Sequence, residues 1–226
     1  MSTKKCIIKY IIHLCLMIVQ SMIMTLIVAN ITVLRNVLQC FFYPFVVILF
    51  LGAILIAVLI FVHKLEDIFP VDYMAALSVI ATSSGLAVVT WNLKLWVLLS
   101  WLLTIFLAAI TVTLGYLMKR LSEKWFYIVN YVISGLMLVS AFMFVILYSL
   151  IHRNDTDTVF GVLLALSLLL ALFLNGQSLK HCDDSMANSF LPVRLALATW
   201  SLMALLYLFI SLSTQQDILP TCLLKL

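Results

Sequence analysis

Ala171-Leu172-Phe173-Leu174-Asn175-Gly176-Gln177 closes an apolar run that begins near residue 158. About 20 consecutive apolar residues are what a helix needs to cross the hydrocarbon core of a bilayer. Two amides stand in the last turn of this run, so uncharged polarity sits directly beside lipid-grade sequence. The stretch decides the fold class, because the rest of the chain repeats it.

Of the 226 residues 65% are hydrophobic and 10% charged, and the mean hydropathy is +1.24. Soluble domains run nearer half apolar and a quarter charged, so the composition is that of an integral membrane protein with no separate soluble domain. The net charge of +4 is scattered, and no basic face exists to neutralise nucleic-acid phosphates. The partner it implies is the lipid bilayer. Cys6, Cys15, Cys40, Cys182 and Cys222 contain no CxxC pair and are odd in number, which favours free thiols. Lys4, Lys5 and Lys9 precede an apolar stretch, Tyr10 to Ala29, of spanning length rather than signal-peptide length. It reads as an uncleaved first span.

Seven such runs are expected as one transmembrane domain over 1–226, near 8–29, 41–62, 70–91, 95–117, 126–150, 158–178 and 190–213. Irregular backbone cannot face lipid, and the runs lack barrel alternation, so each is expected to be an α-helix. Pro44, Pro70 and Pro192 fall in or near first turns, where a missing N–H costs little.

With seven spans, one side of the membrane carries Lys4, Lys5, Lys9, Lys64, Lys119, Arg120, Lys124 and Lys180, with Arg194 just inside the last helix. The other carries Arg35, Lys94, Arg153 and Lys225. The imbalance places the N-terminus in the cytosol. The triplets Asn30-Ile31-Thr32 and Asn154-Asp155-Thr156 both fall on the opposite side, agreeing with that orientation, although both lie close to helix ends for glycosylation.

Within the spans, polar residues at helical spacing define small-residue faces: Ser78, Thr82 and Gly85 on the third, Asn130, Ser134, Gly135 and Ser140 on the fifth, Gly161 and Ala165 on the sixth. Close helix packing is the expected use of such faces. Every acid lies in a loop, a helix end or the tail. Intramembrane carboxylates usually mark ion paths, so an ion pump or proton-coupled transporter is disfavoured. Arg194, one turn into the last span, is expected to snorkel to the interface, and His13 to be interfacial. His181-Cys182-Asp183-Asp184 reads as a solvated loop, since adjacent residues cannot all converge on one ion. No GxSxG, HExxH, Walker loop or GxGxxG occurs, so no enzyme activity, cofactor or metal site is expected.

Two stretches carry a family resemblance. Lys64-Leu65-Glu66-Asp67-Ile68-Phe69-Pro70, leading into Val71–Ser78, resembles the start of the third helix in the Bax inhibitor-1/Lifeguard (transmembrane BAX inhibitor motif-containing) family. Leu172-Phe173-Leu174-Asn175-Gly176-Gln177 is similar to the Leu-X-Tyr-Asp-Thr-Gln pattern closing that family's sixth helix, and Gln20 resembles a glutamine in its opening segment. The resemblance implies a bundle of six helices around a central seventh. It implies residence in the endoplasmic reticulum or Golgi rather than the plasma membrane, and a role in calcium homeostasis or restraint of apoptosis. Partners would be calcium ions, weakly, and membrane proteins of the cell-death or calcium-handling machinery.

The family's pH-sensing latch pairs an aspartate on the sixth helix with one on the seventh. Here those positions hold Asn175 and, at or next to the second, Ser201. Neither titrates, so the latch is expected to survive at most as a neutral hydrogen bond and the pH-gated calcium leak to be weak or absent. Gln177, Asn130, Ser134, Thr82 and Arg194 are candidates for a polar pocket. Two other classes stay open: a non-conducting scaffold binding partner membrane proteins, and a neutral-solute transporter using Asn130, Asn175 and Gln177, disfavoured by the lack of a visible internal repeat.

Overall fold

The computed structural model describes residues 2–31, 51–52, 54–56, 58–59, 71–90, 94–119, 121–150, 154–179 and 190–214. Six helices run through the described residues: α1 (Ser2–Asn30), α2 (Val71–Thr90), α3 (Lys94–Leu117), α4 (Glu123–Leu150), α5 (Asn154–Leu179) and α6 (Leu191–Thr214). The described part of 51–59 is helical as well, and no strand occurs among the described residues. That segment holds what is described of the expected 41–62 span. The expectations for Phe69-Pro70, for the 180–189 loop and for the tail beyond 214 lie outside the described residues.

The helix ends follow local chemistry rather than the apolar boundaries alone. α1 starts at Ser2, not near residue 8, because lysine is a good helix former and backbone bonding continues whether or not a side chain lies in lipid. α4 starts at Glu123, with the Ser122 carbonyl accepting from the Phe126 N–H at 2.9 Å. α5 takes in Asn154-Asp155-Thr156-Asp157, residue types that favour a first turn. Pro192 lies in the first turn of α6, as its missing donor requires.

Among the described residues four segments are long and apolar enough to cross a bilayer: Thr3–Ile27, Leu99–Leu117, Lys124–Phe144 and Val159–Leu179. A further apolar stretch covers Leu191–Tyr207. An all-α membrane protein accounts for these helices and for their outward faces. α1 buries one narrow stripe, Cys6, Leu14, Met17 and Ser21, while Ile8, Ile11, Leu16, Val19, Ile23 and Leu26 are exposed. In water that surface would be ruinous; against lipid it costs nothing.

α6 is the opposite case. Every residue from Phe190 to Trp200 is buried, and the helix packs against α1, α2, α3 and α5. It is the central helix of the described bundle. α4 lies at the periphery, packed on α5 through Phe126, Asn130, Ile133, Met137, Ser140 and Phe144. Their alternating three- and four-residue spacing is that of a knobs-into-holes seam.

Polarity points inward. Most described hydroxyls donate to a carbonyl of their own helix: Thr82 to Ser78, Thr104 to Ser100, Thr111 to Leu107, Thr199 to Leu195, all at 2.7–2.8 Å. A hydroxyl satisfied this way adds no bond between helices and costs little in an apolar interior.

Candidate functional site

The region around the C-terminal end of α5 is built by a close helix crossing. A Cβ placed on Gly176 would lie 2.6 Å from the Val112 carbonyl oxygen and 3.1 Å from the Val112 Cα. One placed on Gly115 would collide with the Phe173 carbonyl oxygen and lie 3.3 Å from the Gln177 nitrogen. Each glycine thus faces the backbone of the other's helix, and the C-terminal ends of α3 and α5 approach closely through the absence of two side chains. A similar approach occurs where Gly52 meets Thr82 on α2, its Cβ position 2.6 Å from Thr82 Oγ1.

This crossing fixes Asn175 and Gln177. Both are buried. Asn175 Nδ2 donates to the Ala171 carbonyl at 2.8 Å, within its own helix. Gln177 is 3% exposed, and its Oε1 is buried with no hydrogen-bond partner. On α6, Ser201 Oγ is also buried without a partner. The neutral latch between Asn175 and Ser201 is therefore not made: the amide has turned to its own carbonyl and the hydroxyl bonds nothing. A short amide reaches its i−4 carbonyl without leaving its own helix, and that local bond wins over a cross-helix one.

Arg194 corrects a second expectation. Its side chain does not snorkel. It is 4% exposed, its Nε donates to the Leu59 carbonyl at 3.3 Å, and its Cζ lies 4.6 Å from the centroid of the Phe190 ring. The reason is the position of α6. A central helix has no lipid-facing side along which a long chain could climb, so the guanidinium is met by a carbonyl and an aromatic face instead.

The other expected pocket residues do not gather at one point. Thr82 is buried on α2 against Gly52. Asn130 is buried and Ser134 half-buried on α4, whose principal neighbour among the described helices is α5. The stripe expected on this helix is split: Asn130 and Ser140 face inward, whereas Gly135 is exposed with nothing within 4 Å of its Cβ position. Residue 135 lies one step round the helix from Ser134, enough to carry it to the outside.

Two cross-helix bonds were not legible beforehand as pairs. Tyr10 OH lies 3.0 Å from Thr199 Oγ1, joining α1 to α6. Thr199 has one hydroxyl hydrogen and gives it to the Leu195 carbonyl, so Tyr10 is the donor. Gln20 Nε2 donates to the Ala76 carbonyl at 3.0 Å, joining α1 to α2. Gly115 and Gly176 stand in no repeated small-residue pattern, and nothing in their local sequence marks them as a pair.

Among the described residues no group of three or more His, Cys, Asp or Glu could hold a metal ion. The buried polar residues described are Ser, Thr, Asn and Gln, with Arg194 the one charged side chain. Such a set can pack, donate and accept; it offers no nucleophile–base pair and no anionic ligand. No protein-family model, curated protein or solved structure matches the chain.

Proposed function

We propose that the chain is a seven-span membrane protein of the Bax inhibitor-1/Lifeguard type, acting in an internal membrane on calcium handling or cell-death signalling, with the calcium leak lost. The N-terminus is cytosolic in this reading. The observation that supports it is the buried polar inventory around the central α6: Asn175, to which the resemblance gives the first latch position, is a neutral amide, and no carboxylate is buried among the described residues. Neutral oxygens without a carboxylate do not offset the cost of stripping water from a divalent ion.

Calcium flux into liposomes tests this. The unmodified protein is expected to pass little calcium at any pH between about 5 and 8, the range over which a raised carboxylate would titrate. Asn175→Asp combined with Ser201→Asp is expected to raise the flux and make it pH-dependent. Robust pH-dependent flux in the unmodified protein refutes the proposal.

A second reading, a non-conducting scaffold, has its own observation. The outer face of α4 exposes Tyr131, Val132, Val139 and Phe142 around the open Gly135, a surface where another membrane helix could lie close. Cross-linking from cysteines placed at Val132 and Val139 separates the two: discrete protein adducts in native membranes favour the scaffold, lipid-only contacts do not.

A further inference from the structure

Two buried oxygens on neighbouring helices need donors or acceptors that the protein around them does not supply. Gln177 Oε1 on α5 and Ser201 Oγ on α6 are both inaccessible and unpartnered, and α5 packs against α6. A carboxamide oxygen can only accept, so its own helix, whose N–H groups are used in the backbone ladder, cannot serve it.

Most described hydroxyls of α3, α5 and α6 give their hydrogens to their own helices, and the unpartnered hydroxyls of Ser83 on α2 and Ser140 on α4 do not reach Gln177 either. Thr104 and Thr111 on α3 give theirs to Ser100 and Leu107 carbonyls. Ser167 and Ser178 on α5 give theirs to Leu164 and Leu174, and Thr199 on α6 gives its own to Leu195. Asn175 gives one of its two amide hydrogens to Ala171, and the other does not reach Gln177 Oε1, which has no partner. Ser201 has a hydrogen to give and does not reach Gln177, since both remain unpartnered.

Leaving a buried acceptor unmet costs about 1–3 kcal/mol, whereas immobilising a water costs about 0–2 kcal/mol. Water therefore competes well for such a position. A metal cation does not. It would be desolvated against neutral oxygens with no described carboxylate buried nearby and a guanidinium on α6.

We propose that the bundle interior around α5 and α6 is hydrated, with water donating to Gln177 Oε1 and bonding Ser201 Oγ. Each of the two positions takes one small neutral hydrogen-bonding molecule, water. This hydration is independent of the calcium reading above, because it can be measured where no ion passes.

Water-edited solid-state NMR on the unmodified protein in lipid tests it. Magnetisation from water should reach the non-exchanging Gln177 Cγ and Ser201 Cβ positions sooner than the Leu172 and Leu202 methyls. Equal build-up at these positions overturns the proposal.

Discussion

Adding one methyl at Gly176 tests the geometry on which the candidate site rests. In Gly176→Ala the new Cβ would sit 2.6 Å from the Val112 carbonyl oxygen and 3.1 Å from its Cα. Both are backbone atoms, so no side chain can rotate away and α3 must shift. Overpacking of this kind costs about 1–3 kcal/mol. Replacing glycine by alanine in a helix returns about 1 kcal/mol, which leaves a net loss of about 0–2 kcal/mol. Gly135→Ala is the matched control: it gains the same helix term, and nothing lies within 4 Å of its Cβ position. The difference between the two isolates the crossing at about 1–3 kcal/mol, and each kcal/mol moves Tm by about 2–4 °C in a chain of this size. Thermal unfolding in detergent, followed by intrinsic tryptophan fluorescence, measures it. Gly115→Ala, whose Cβ meets the Phe173 carbonyl, should behave like Gly176→Ala. If Gly176→Ala melts at or above Gly135→Ala, the α3–α5 crossing is not as described and the placement of Asn175 and Gln177 falls with it.

The Tyr10–Thr199 bond predicts an asymmetric pair: Tyr10→Phe should cost about 0.5–1.5 kcal/mol, while Thr199→Val, which strands the phenolic donor, should cost about 1–3 kcal/mol. A double-mutant cycle read by denaturation in mixed micelles should show the two substitutions to be non-additive; simple additivity would mean the bond is absent. Arg194→Met should lower stability by about 1.5–3 kcal/mol through loss of the charged bond to the Leu59 carbonyl, and Arg194→Lys should not restore it, because an ammonium lacks the planar face that lies over Phe190. Unchanged Tm in Arg194→Met would place the guanidinium outside the bundle. Calcium flux and water-edited NMR, set out above, are the functional counterparts of these stability measurements.

How much was legible in advance differs between helix ends and helix faces. The ends of α2, α3, α5 and α6 fall within a few residues of the apolar boundaries, because lipid demands a run of minimum length and the loops between must be polar. Faces are another matter. α1 and α6 are both apolar all round, yet α1 shows lipid most of its surface and α6 is buried along its first ten residues. In water, the polar side of a helix would announce which way it turns. In a membrane both sides are apolar, and that signal vanishes. The same loss explains Gly135, expected in a packing stripe and found outside it, and Arg194, expected at the interface and found inside.

For Asn175-Gly176-Gln177, the residues alone determined that the site is neutral: no arrangement of helices can make an asparagine titrate or give a glutamine a charge. They also determined the all-helical character, since length and hydropathy leave the backbone no other way to satisfy its hydrogen bonds in lipid. Only the tertiary structure decided what these side chains do. It turned Asn175 onto its own helix, left Ser201 and Gln177 without partners, and made the intervening Gly176 the residue that lets α3 and α5 touch. Those outcomes depend on distances between segments far apart in the chain, set by how closely backbones pack where each of two glycines meets the backbone of the other's helix, and no local sequence rule contains them.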